Sequence, residues 1–238
     1  MNALDNMSPE RALRRLIAGN KRFASGLRSI ESIASSQRRE QLARQGQKPF
    51  AIILTCSDSR VPAETVFDAG LGDLFVVRVA GNIAAPSLIA SIEFAALSFG
   101  TPICVVMGHS QCGAIHGAVT GLMKKHSAMT PNLDILIKEI EPAAEKALKL
   151  QGSVVKSDDR VGSLNSIVDC AIEINVRHTI SQFEKASSHL RDLQATGTFQ
   201  IVGAVYDISE GCVKILDQTG ALQHDLSAED QKTTPRLA

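Results

Sequence analysis

Three short runs of this chain are dominated by apolar residues: "FAIILT", which is continuous, "DLFVVRVAG" and "TPICVVMG". Each is too short for a core helix and rich in β-branched residues, the pattern of a strand buried on both faces. After each run the pattern changes to helical spacing. "VPAETVFDAGLG" predicts a short helix that stops at glycine, "APSLIASIEFAALSFG" a helix with Pro86 early and Gly100 just past its end, and "GAIHGAVTGLMKK" a third helix. Strand then helix, three times over, predicts a parallel sheet with crossover helices. Ligands of such sheets bind outside the carboxyl ends of the strands. Two polar clusters, "CSDSR" and "GHSQC", fall at those ends.

The flanking segments carry weaker patterns. "MSPERALRRLIAGNKRFASG" predicts a helix capped by Ser8, with Pro9 at its first position and Glu10 at its positive end. Leu13, Leu16, Ile17 and Phe23 share one face, which Asn20 interrupts. "SIESIASSQRREQLARQGQKP" is polar and ends in a helix before Gly46. "NLDILIKEIEPAAEKAL" is helical, with Pro142 breaking or kinking it. "VKSDDRVGS" reads as a polar loop, and residues 164–197 as one long helical stretch or two. "TFQIVGAVYDISEGCVKILD" predicts two strands joined by a Ser-Glu-Gly turn. The chain is expected to be one unit over 1–238: a helical arm over 1–45, a core over 46–218 and a flexible tail over 227–238.

Composition narrows the function. Lys+Arg and Asp+Glu are both 25, so no basic face is implied and nucleic acid is not an expected partner. Net neutrality favours self-association. The start, "MNALDNMSPERALRRL", lacks a signal-peptide core, and Pro86, Glu93, Gly100 and Pro102 break the most apolar region before it reaches membrane-spanning length. The expectation is a cytoplasmic protein with no membrane partner. The five cysteines are then reduced thiols, some of them metal ligands, and not a disulfide framework.

The two clusters supply the chemistry. If strand geometry continues past the first run, Cys56, Asp58 and Arg60 face one way. His109 and Cys112 lie three apart just before a helix, where one turn puts them on one face and the helix N-terminus favours a thiolate at Cys112. Two thiolates, an imidazole and a carboxylate suit zinc. Three soft ligands leave the fourth position to an aspartate or a water, as in catalytic sites, where zinc lowers the pKa of water from ~15.7 toward ~7. Arg60 can hold Asp58 as an oriented acceptor, and Asp58 released from Arg60 could itself close the zinc site. Cys104, Cys170 and Cys212 read as packing residues, as do the other histidines, of which His116 sits one turn past Cys112.

With "GNKRF", "VFDAGLGDLFVVRVAGNIA", "SIEFAALSFGTP", "NVRHTI" and "IVGAVYDISEG", the two motifs make the chain resemble the β-class carbonic anhydrases from about residue 8 to 217. The resemblance implies an α/β fold with a mostly parallel central sheet flanked by helices, and N-terminal helices packing on a partner subunit. It implies reversible hydration of CO2 to bicarbonate and a proton, by zinc-bound hydroxide oriented by an Asp-Arg dyad. Cys56, His109 and Cys112 would be the ligands of one Zn2+ per subunit, Asp58 and Arg60 the dyad, and Asp58 a fourth ligand in a closed state. Gln47, Phe75, Ala80, Phe94 and Gly113 would line the substrate pocket, with Phe94 standing where some members carry a tyrosine. The expected assembly is a homo-oligomer, a dimer or a dimer of dimers. Ile53 replaces the tryptophan of a bicarbonate-inhibited subgroup, so that regulatory site is not implied despite Arg78. Two other functions fit parts of the pattern: a related hydrolase acting on carbonyl sulfide or carbon disulfide, and a non-catalytic domain held together by zinc.

Overall fold

The structure, a computed structural model, describes residues 7–27, 35–124, 130–151 and 160–216. The expected tail over 227–238 lies outside the described residues. Five strands form one sheet in the order β2-β1-β3-β4-β5: β1 (Ala51–Thr55), β2 (Leu74–Arg78), β3 (Ile103–His109), β4 (Gln200–Tyr206) and β5 (Val213–Leu216). The first four are parallel, and β5 runs antiparallel to β4 as a hairpin partner.

The central strands β1 and β3 are buried along their whole length because both faces of the sheet are covered there. Ala51, Ile53, Val105 and Met107 face α1 (Pro9–Ala24) and α3 (Ala63–Val66). Ile52, Leu54, Cys104 and Val106 face α4 (Pro86–Phe99), α7 (Arg160–Ala186) and α8 (Ser188–Ala195). A third apolar cluster joins α5 (Gly113–Lys124), α6 (Pro131–Gln151) and α7 beyond the carboxyl ends of the strands, and it contains Cys56 and Cys112. Cys104 is packing, as expected.

Local chemistry sets the helix ends. Ser8 accepts from the Arg11 N–H with Pro9 first in α1, and α4 begins at Pro86 and ends on left-handed Gly100. Asn20, which interrupts the apolar face of α1, is buried. It donates to Val66 O (3.1 Å) and Gly211 O (2.9 Å) and accepts from Val213 N (2.8 Å), joining α1 to α3 and to the β4–β5 hairpin of its own chain. By contrast α2 (Ser36–Gln45) buries none of its residues; its Arg38 donates to Leu71 O and its Leu42 lies over Gly72.

Four expectations need correction. β2 is an edge strand and only half-buried, since β1 covers one side of it. α3 ends at Val66, well before Gly70, with Asp68 in a left-handed conformation (φ 45°). Of the two effects expected at Pro142 the break does not occur: α6 continues through it, because Ile140, Ala143, Ala144 and Ala147 pack on its neighbours and outweigh the lost hydrogen bond. Residues 160–163 of the expected polar loop are helical, as the start of α7. Residues 164–195 form two helices, parted at Ser187, which caps α8. No helix among the described residues is long and apolar enough to cross a membrane.

Candidate metal centre and active site

The chain leaves β1 to form β2 on one side and returns to form β3 on the other. The crevice between the carboxyl ends of β1 and β3 is therefore the topological switch point of the sheet. Thr55 pairs with Met107 in register, so Cys56 and His109 emerge almost side by side. Cys112 arrives three residues later, immediately ahead of α5. The ligand atoms of Cys56, His109 and Cys112 lie within 4.8 Å of one another, and all three residues are buried.

The route to this arrangement differs from the one expected. β1 ends at Thr55, so strand alternation does not align Cys56, Asp58 and Arg60. A turn does: Val61 N donates to Asp58 O (3.0 Å) and Arg60 N to Asp58 Oδ1 (2.9 Å). Nor does a helical turn join His109 to Cys112. His109 is the last residue of β3, and the chain doubles back through Gln111 in a left-handed conformation (φ 58°).

His109 is the residue best set up to bind a cation. Its Nδ1 lies 2.9 Å from Ser110 O. A carbonyl oxygen only accepts, so the ring proton sits on Nδ1 and the lone pair on Nε2. That Nε2 is buried without a hydrogen-bond partner, beside two thiols. Two sulfurs and an imidazole nitrogen are a donor set for zinc and similar divalent metals.

The thiols behave as a pair. Cys56 is pulled below the usual thiol range, first by the hydrogen bond from Cys112 and then by the backbone N–H groups of Gly81 and Asp58, against burial. Cys112 is pushed up, first by Cys56 and then by burial. The N–H groups of Ala114 and Ile115 at the start of α5 favour its thiolate but are outweighed. One proton leaves readily, and the second is held by the charge of the first, a conflict that a cation between the sulfurs removes.

Asp58 and Arg60 form a fork. Arg60 Nε donates to Oδ1 (2.9 Å) and Nη2 to Oδ2 (2.7 Å). The Arg60 side chain, with its backbone N–H, holds the Asp58 carboxyl well below the usual range, against burial. Arg60 reaches Gln111 through O (3.3 Å) and Oε1 (3.5 Å), which joins the two site loops. Asp58 lies outside the three-residue cluster.

The pocket residues divide. Ala80 begins a 3-10 turn (Ala80–Asn82) whose Gly81 N–H lies 3.4 Å from Cys56 Sγ, and Gly113 opens α5 beside Cys112. Gln47, Phe75 and Phe94 are elsewhere. Gln47 is exposed and precedes β1, whose length carries the chain about 17 Å toward Cys56. Phe75 pairs with Ile52, four residues short of Cys56, and its ring packs on Phe94 (6.3 Å) and Phe99 (6.2 Å). His116 is exposed on α5. Arg78 was singled out only for a regulatory site. It donates to Cys56 O (3.1 Å) and Asp58 O (2.7 Å) and so braces the first loop. A charged residue ending a buried strand was the available signal.

Comparison with known proteins agrees with the geometry. A family model described as carbonic anhydrase matches residues 51–213. Carbonic anhydrase 2 of Mycobacterium tuberculosis is 32% identical over 225 residues, spanning 94% of this chain and 100% of that protein. The carbonic anhydrase of Mycolicibacterium smegmatis is 32% identical over 91% of this chain and 98% of its own length. The solved β-carbonic anhydrase CcaA superposes with a TM-score of 0.65 at 27% identity, over 86% of this chain and 87% of that one. The chain belongs to the carbonic anhydrase family, as an enzyme of the β class.

Proposed function

We propose that the protein catalyses the zinc-dependent, reversible hydration of CO2, with Cys56, His109 and Cys112 holding the metal and Asp58–Arg60 orienting the attack. The observation that carries this reading is the unpaired Nε2 of His109, buried with two thiols beside an arginine-locked carboxylate. Zinc in that cluster would supply Lewis-acid activation of water near neutral pH. Asp58 remains ionised and can only accept, so it takes a hydrogen bond from the attacking oxygen and aims its lone pair at carbon. Arg60 prevents the carboxylate from turning toward the metal. As the C–O bond forms, one C=O electron pair moves onto oxygen, and a backbone N–H at the start of α5 can receive that charge. The proton of the attacking water leaves to solvent.

Gln47, Phe75 and Phe94 enter the proposal through a second subunit. They lie toward the amino end of their own sheet, too far to serve their own Cys56. Phe94 and Leu97 are 52% and 54% exposed on α4, next to edge strand β2. An apolar strip beside an unpaired strand edge needs cover. In a homodimer this face meets the partner's site: Phe75 and Phe94 exclude water there, and Gln47 donates to the oxygen gaining charge. The exposed α2 extends the same contact. A reducing compartment such as the cytoplasm keeps the ligand thiols available.

Stopped-flow CO2 hydration on protein of counted zinc content tests the reading. Asp58→Ala is expected to keep zinc and lose about 100-fold or more in turnover. Wild-type protein that holds zinc fully and hydrates no CO2 would overturn the assignment.

A further inference from the structure

We propose that Asn175 and Thr179 are positioning residues of the metal centre, a two-point clamp that holds Gly81 N–H on the sulfur of Cys56. The inference deepens the zinc reading above and rests on it. Gly81 N donates to Cys56 Sγ at 3.4 Å from within the Ala80–Asn82 turn. That turn is poorly equipped to hold its own shape. Gly81 (φ 73°) and Asn82 (φ 43°) are both left-handed, and the Asn82 N–H to Val79 O (3.1 Å) is its internal bond. A Cβ on Gly81 would fall 2.6 Å from Ile140 Cδ1, so α6 presses on it from one side.

α7 holds the other side. Asn175 Nδ2 donates to Gly81 O (2.8 Å), and Thr179 Oγ1 donates to Asn82 O (3.1 Å). The two side chains stand one helical turn apart and grip two consecutive carbonyls. Asn175, Thr179 and Asn82 are all buried. The arrangement has a cost: Asn175 Oδ1 and Asn82 Nδ2 are buried without partners. A helix chosen for packing alone would place apolar side chains here, as it does at Ile172 and Val176. Polar residues kept against a local rule, and aimed at a peptide that touches a metal ligand, point to function. Both lie in "NVRHTI", which the rest of the site leaves unused.

The N–H to sulfur bond draws charge from the thiolate and fixes its direction. Without the clamp the turn relaxes, and Cys56 becomes a more electron-rich and less well-placed ligand.

The test uses full-length protein loaded with Co2+, read by its thiolate-to-cobalt absorption and by the rate at which a chelator strips the metal. Asn175→Leu keeps the volume and removes the donor. It is expected to move the absorption to lower energy and to speed metal release about 10-fold. Thr179→Val keeps the volume too, and should give a smaller shift in the same direction. It serves as the test if the Asn175 variant does not fold. A purely structural role would lower the melting temperature and leave the spectrum alone. Wild-type spectra and release rates in folded variants would overturn the clamp. A wild-type protein showing no thiolate-to-cobalt absorption would overturn the zinc reading, and the clamp with it.

Discussion

The two ends of the sheet are built on different principles. At the carboxyl end, polar groups converge within short loops. The "CSDSR" turn, the β3–α5 reversal and the Ala80–Asn82 turn are linked by Arg60, Arg78 and Gly81, each to a neighbouring loop. Toward the amino end the sheet presents Gln47, Phe75 and Phe94, with the aromatic rings packed on each other and Phe94 half open to solvent. The first end draws its polar contacts from within one chain, and the second leaves part of an apolar strip exposed. Metal ligands must be placed within a fraction of an ångström, which short rigid loops can do. An apolar pocket wall tolerates assembly from a second molecule, because packing is non-directional.

This contrast can be broken experimentally, beginning where the effect is largest. Cys112→Ala should empty the site: zinc content after dialysis falls to background, and CO2 hydration drops by more than about 100-fold. Retention of stoichiometric zinc by a folded Cys112→Ala protein would show that the cluster is not the metal site.

Next comes a mixing experiment on Gln47. Gln47→Ala should reduce turnover without releasing zinc. If Gln47 serves the partner, co-refolding it with Asp58→Ala creates dimers in which one site is intact. With random pairing, activity recovers to about a quarter of wild type. Activity no higher than the mean of the two parents would place Gln47 in its own subunit's site or outside the reaction.

Phe94→Glu tests the cover itself. A charge on the exposed strip should shift the mass in light scattering toward the single chain and lower activity in parallel, with zinc retained. An unchanged mass would remove this strip from the interface.

The smallest effect concerns acid. Arg60 holds the folded Asp58 carboxyl below its unfolded value of about 3.9. Its contribution to stability is therefore present above that value and lost as pH falls through the folded one. The melting-temperature gap between wild type and Asp58→Asn should be constant from pH 8 to 5 and narrow below pH 4. A gap that narrows between pH 7 and 5 would show that Asp58 titrates in the working range.

Much of the carboxyl end was legible in the chain. Uninterrupted apolar runs announced β1 and β3, because strands covered on both faces need no polar positions. β2 gave the same signal, yet it is an edge, since only the order of strands decides which one lacks a neighbour. Cys56, His109 and Cys112 were readable as a candidate metal-binding set, but their alignment has other causes than the expected ones. Parallel register sets Cys56 beside His109, the reversal at Gln111 brings in Cys112, and the turn at Asp58 aligns its carboxylate with Arg60, where strand and helix periodicity had been expected. Asn175 and Thr179 could have been noticed as polar residues at helical spacing among Ile172, Val176 and Ile180, although nothing local says what they hold.

The sequence by itself determined which chemistry was available and which segments would be buried, because side-chain type and apolar periodicity are local properties. The tertiary structure alone decided what meets what. It placed β1 beside β3, which makes neighbours of residues more than fifty positions apart. It turned His109 Nε2 toward two thiols, set α7 against the turn that touches Cys56, and left Phe94 on an open face. These are consequences of strand order and helix packing, which depend on contacts between distant segments.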